Sequence, residues 1–103
     1  MNNDGEMMEL TSKGIPRSLR PAFQEYDLEK LDPERDAFTV IERTLAYGNR
    51  QELAWLFARY HVERLTAWVQ QWGWRSLPRA RLLLWIAYFN PASLPSRKNV
   101  WPY

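Results

Sequence analysis

The sequence predicts an all-α protein, a compact bundle of about four helices preceded by an irregular N-terminal arm. Three observations carry this. Apolar residues recur at helical spacing in four successive segments. Prolines and glycines punctuate the chain at or between the ends of those segments. No segment alternates apolar and polar residues with the period of two that a half-buried strand requires.

Residues 1–14 are polar, hold Gly5 and Gly14 and show no periodicity, so a flexible tail is expected there. Pro16 and Pro21 then bar a long helix, but Ile15, Leu19 and Phe23 fall at i, i+4, i+8, as in a short turn pinned to a core by three apolar groups. The first long helix is predicted near 33–47. Asp32 can cap its free N–H groups, Pro33 suits its first position, and Glu34 and Asp36 favour its positive end. Its stripe is read as Phe38, Ile41 and Leu45 with Ala37, and Gly48 is expected to end it in a left-handed conformation. Asn49 can cap the second helix, near 50–60, with Leu53, Leu56, Phe57 and Tyr60 as its stripe. The third, near 62–72, buries Leu65, Trp68, Val69 and Trp72 and stops at Gly73. Pro78 opens the fourth, near 78–90, which is apolar nearly all round from Leu82 to Phe89 and is therefore expected to be the most buried. Asn90-Pro91 ends it. The helical domain then spans 15–91, and 92–103 form a tail carrying Pro95, Trp101, Pro102 and Tyr103.

A length of 103 residues suits one domain, able to bury roughly 60–70% of its unfolded surface. Six Trp, five Tyr and four Phe argue against wholesale disorder. The absence of cysteine excludes disulfides and thiolate chemistry and favours a reducing compartment. The acidic start has no signal-peptide character, and the longest apolar run, Leu82 to Phe89, is too short to span a bilayer. A cytoplasmic protein with no membrane partner is expected. Residues 1–58 hold seven basic and eleven acidic side chains, a net of −4. Residues 59–103 hold seven basic side chains and one acid, Glu63, a net of +6, which suggests attraction between the halves, an acidic partner or nucleic acid.

Catalytic chemistry finds little purchase. His61 is the only histidine and reads as a turn or capping residue. The four glycines stand singly, so no phosphate-cradling loop exists. Asp32, Glu34 and Asp36 read as helix capping, not as a metal site. No catalytic, cofactor or metal residue is expected. The informative run is Trp72 to Arg81, in which Trp74, Arg75, Arg79 and Arg81 combine aromatic and guanidinium groups common at interface hot spots. Arg79 and Arg81 lie where cations oppose a helix dipole. With the terminal Trp101 and Tyr103, these four are the candidate partner-binding residues; the bland alternative is that Trp72 is core, Trp74 covers the helix junction, the arginines are solvated and the terminal pair packs back onto the domain. A second class of function is a small helix-turn-helix-like DNA-binding regulator using 50–60 and 62–72, although Glu63, Arg64, Thr66, Gln70 and Gln71 would give the reading helix few cations.

The run Pro16 to Phe23, then Tyr26-Asp27, Leu31-Asp32 and Ile41 to Gly48, with Leu53 to Tyr60 and Trp85 to Phe89, resembles a family of small uncharacterised bacterial helical proteins over residues 15–89. Members are often encoded beside nucleotidyltransferase-type toxins. The resemblance therefore implies a non-catalytic protein-interaction module, an antitoxin-like or accessory partner of such a toxin. It brings no catalytic motif to carry over.

Overall fold

The computed structural model describes residues 8–89, and within them the all-α expectation holds. The only extended pairing among the described residues is an isolated bridge between Leu10 and Pro16. The chain divides into two compact units, Met1–Arg59 and Tyr60–Tyr103. Trp101, Tyr103 and the tail expected over 92–103 lie outside the described residues.

In the first unit, order sets in before residue 14, where the tail was expected to end. Arg17 N–H donates to the Glu9 carbonyl at 2.9 Å, and Thr11 N–H donates to the Ile15 carbonyl at 2.7 Å. Ile15 N–H returns to Thr11 Oγ1 at 3.1 Å. Gly14 turns this loop with a φ of +96°, a left-handed conformation that glycine adopts without steric cost. Arg17–Phe23 then forms a 3₁₀ helix that accommodates Pro21, and Leu28–Lys30 forms a second 3₁₀ turn. Ile15, Leu19 and Phe23 are all fully buried or nearly so, as their spacing predicts.

Helix α1 spans Ala37–Tyr47, starting four residues after the expected Pro33. The capping chemistry is where the sequence places it. Asp32 Oδ1 accepts from Glu34 N–H at 2.8 Å and Arg35 N–H at 3.0 Å, while Asp36 Oδ2 accepts from Asp32 N–H at 2.9 Å. These bonds close a turn over 33–36 that leads into the helix. Among the described residues no group of His, Cys, Asp and Glu could hold a metal ion. The buried stripe is Ala37, Val40, Ile41, Thr44, Leu45 and Ala46. Phe38, expected in it, is 42% exposed, because the stripe centres on Val40, Ile41 and Thr44 and leaves position 38 on its flank, about 110° away. Gly48 also differs from expectation: its φ is −66°, not left-handed. Glycine serves there through close approach, since a Cβ would lie 2.6 Å from the Thr44 carbonyl oxygen.

Helix α2 spans Arg50–Arg59. Asn49 Oδ1 accepts from Glu52 N–H and Glu52 Oε1 accepts from Asn49 N–H, each at 2.8 Å, a reciprocal capping box. Leu56 and Tyr60 are buried; Leu53 and Phe57 are half-buried.

In the second unit, α3 spans Val62–Trp68. The His61 carbonyl receives Arg64 N–H at 3.0 Å and Leu65 N–H at 3.1 Å, so His61 caps through its backbone. The helical run does not stop at Gly73. It widens into a π turn, Val69–Gly73, and continues as a last turn, α4, Trp74–Ser76. Gly73 keeps helical dihedrals, and a Cβ there would come within 3.2 Å of both Leu82 Cδ1 and Val69 Cγ1. Its small size thus admits the next helix against the π turn. Leu65, Trp68 and Val69 are buried as expected, whereas Trp72 is half-buried.

The Pro78 carbonyl receives Leu82 N–H at 2.8 Å and opens α5, Arg79–Phe89. The sequence predicts this helix to be the most buried; the structure buries only Leu82 and Trp85 of it. An apolar run with no polar face carries no phase, so its composition could not show which side meets solvent. No helix among the described residues is long and apolar enough to cross a membrane.

Candidate interaction surface

The outward side of α5 is apolar. Ala80, Leu83, Leu84, Ala87 and Tyr88 are exposed and fall at i, i+3, i+4, i+7, i+8, one continuous stripe along the helix. Leu83, Leu84 and Tyr88 stand 44%, 51% and 55% exposed. Singly exposed apolar residues are ordinary, whereas a contiguous row makes this side of α5 a candidate contact surface. The stripe is also held in place from within. Buried Trp85 meets the Tyr88 ring edge-on at 5.7 Å and stacks on Phe89 at 5.6 Å, and Tyr88 meets Phe89 edge-on at 5.1 Å. This aromatic trio reduces the rotamer freedom that Tyr88 would lose on binding.

The charged end of the stripe is the run singled out in the sequence. Exposed Trp74 carries the Arg75 guanidinium 5.1 Å from its ring centroid, within cation–π range. Exposed Arg79 and half-buried Arg81 occupy the first turn of α5. At about 100° per residue they fall on either side of the apolar row. The sequence therefore located the basic rim and missed the apolar face it borders. The signal for that face was present in Leu83, Leu84 and Tyr88, but it was absorbed into the expectation of a wholly buried helix. Trp101 and Tyr103 lie outside the described residues.

The first unit has a groove of about 550 Å³, lined among others by Ser18, Glu25, Arg43, Tyr47, Asn49 and Glu52. Its arginine and its carboxylates are committed within the unit. Arg43 donates to the Ala22 carbonyl at 2.8 Å and grips both carboxylate oxygens of Glu25, at 3.1 and 2.6 Å. Its guanidinium also lies 5.4 Å from the Tyr26 ring centroid. Ser18 Oγ donates to Glu52 Oε2 at 2.5 Å. The acids of this unit meet its own arginines elsewhere too: Glu29 accepts from Arg17 and Arg20, and Glu34 pairs with Arg59. Arg43, and then the Glu25 backbone N–H, hold the Glu25 carboxyl down from its ordinary 4.5 to about 2. A group so depressed stabilises the fold above its ordinary value, and that contribution is lost as pH falls from about 4.5 towards 2. Glu25→Gln should accordingly flatten the fall in Tm across that window. A variant whose Tm falls as steeply as that of the parent protein would show the pair to be without consequence.

The model of a family of unknown function (DUF6922) matches residues 18–69, about half of the chain. No curated protein and no solved structure matches. The matched segment contains the groove-lining residues of the first unit and ends before Trp74 and α5.

Proposed function

Starting from the fact that the chain belongs to DUF6922, a family of unknown function, we propose that it is a non-catalytic protein-interaction module that docks a partner on the exposed side of α5. The observation that carries this is the apolar row Ala80, Leu83, Leu84, Ala87 and Tyr88, presented on a helix whose opposite side is anchored by Leu82 and Trp85. Burying one such large apolar side chain gains about 1.5–3 kcal/mol, so the row is an adequate hot-spot core, with Trp74 and Arg75 beside its basic rim. A non-catalytic role also suits the groove, whose carboxylates are engaged in structure: Glu25 by Arg43, and Glu52 by Ser18 and Asn49. The partner class implied by the resemblance is a nucleotidyltransferase-type toxin, masked stoichiometrically in the cytoplasm.

Leu84→Glu tests the reading. Glutamate is a good helix former at an exposed position, so the cost to folding should stay below about 1 kcal/mol. Binding to a nucleotidyltransferase-type toxin, measured by calorimetry, should weaken by about 2 kcal/mol or more. Undiminished binding by a folded Leu84→Glu protein would exclude α5 as the docking face. A second reading, DNA binding, draws on the same +6 charge of residues 59–103. It would require affinity for duplex DNA that falls steeply with salt.

A further inference from the structure

The arrangement of charge around the α5 face points to a specific kind of occupant. We infer that the face takes an amphipathic helix of another protein, packed antiparallel to α5, with acidic side chains flanking the C-terminal part of its own apolar row. This rests on the reading of α5 as the docking face. Charge is distributed asymmetrically along the helix. Its first turn carries Arg79 and Arg81, with Arg75 just before it, whereas residues 82–89 carry no charge. The rim is thus cationic at one end and neutral at the other.

Those cations sit where α5's own dipole disfavours them, since the N-terminal end of a helix is already positive. An antiparallel helix brings its negative C-terminal end to that place. Carboxylates there would meet Arg79 and Arg81 on both sides of the row, with guanidinium–carboxylate geometry available. A parallel helix would bring a second positive end to the same arginines. The apolar row itself is indifferent to direction, so the rim sets it.

The same rim argues against a second copy. Packed antiparallel, the α5 of a second copy would bring its uncharged residues 82–89 to Arg79 and Arg81 and offer them no carboxylate. Packed parallel, it would set arginine against arginine, and like-charge juxtaposition is how interfaces reject wrong partners.

Three synthetic peptides test this against the full chain by fluorescence anisotropy. All share one leucine row. The first carries glutamates flanking the row near its C-terminus, the second carries them near its N-terminus, and the third has lysines in place of the glutamates of the first. The first should bind at least about tenfold more tightly than either of the others, a difference of about 1.4 kcal/mol. Salt should erode that preference, and Arg79→Glu should remove it. Equal binding of all three, abolished by Leu84→Glu, would overturn the charge and direction inference while leaving α5 as a docking face. Binding of none would overturn both, whether the face is filled by the chain's own residues after 89 or by nothing. Sedimentation showing a dimer of the chain that Leu84→Glu dissociates would make a second copy the occupant and overturn the inference.

Discussion

Phe23→Ala should destabilise the first unit by about 3–5 kcal/mol, the cost of deleting a large ring from a core that cannot fully collapse. Phe23 is fully buried in the 3₁₀ helix Arg17–Phe23 and meets the Tyr26 ring edge-on at 6.2 Å. Ile15, Leu19 and Leu28, from the same irregular stretch, are buried too. The segment before α1 is therefore part of the hydrophobic core. Small domains have only about 5–15 kcal/mol of total stability, so this one substitution should remove a large share of it. Chemical denaturation followed by tryptophan fluorescence measures the change. A loss under about 1 kcal/mol would mean that the arm lies on the unit as a dispensable cover.

Glu52→Ala should cost about 2–3 kcal/mol, which is unusual for a charged residue in the first turn of a helix. Glu52 is only 5% exposed. One of its oxygens accepts from Asn49 N–H at 2.8 Å, and the other accepts from Ser18 Oγ at 2.5 Å, tying the arm to the start of α2. Alanine leaves the Asn49 N–H without its partner and cuts the link to the arm. Glu52→Gln keeps one carbonyl acceptor in place and should cost about half as much. Thermal melting of both variants gives the comparison. Equal losses would show that charge, not the pattern of acceptors, is what residue 52 contributes; no loss in either would show that the network contributes nothing to folding.

Local sequence signals carried much of the first unit. The spacing of Ile15, Leu19 and Phe23 located its inner row, and Asp32 and Asn49 act as caps where their positions placed them. Longer-range features left no local trace. Ser18 and Glu52 are 34 positions apart, and Arg43 and Glu25 are 18 apart. Nothing in either segment says that the two will meet. The apolar spacing of Leu65, Trp68, Val69 and Trp72 suits an ordinary α-helix, so the π turn over Val69–Gly73 was hidden. Gly48 and Gly73 read as helix terminators, although each is small because something else comes close: a carbonyl oxygen at 48, two side chains at 73. For the candidate face, the arginines were legible as charge out of place. The leucines were not, because an unbroken apolar run reads the same whether it is enclosed or half open.

The π turn has a consequence for how this chain can vary. A π turn takes in more residues than the α turn on either side of it, so its ladder holds a surplus relative to an uninterrupted helix. Loss of one codon there, for instance that of exposed Gln71, would let the ladder close with ordinary α spacing. Five residues of a π turn wind through about the same angle as four residues of α-helix, so everything downstream would keep its orientation about the helix axis. Gly73 would still face Leu82, and Trp74 and Arg75 would still point as they do. A single deletion in this stretch is absorbed, and lineages that keep the α5 face in use should tolerate the loss of one residue here.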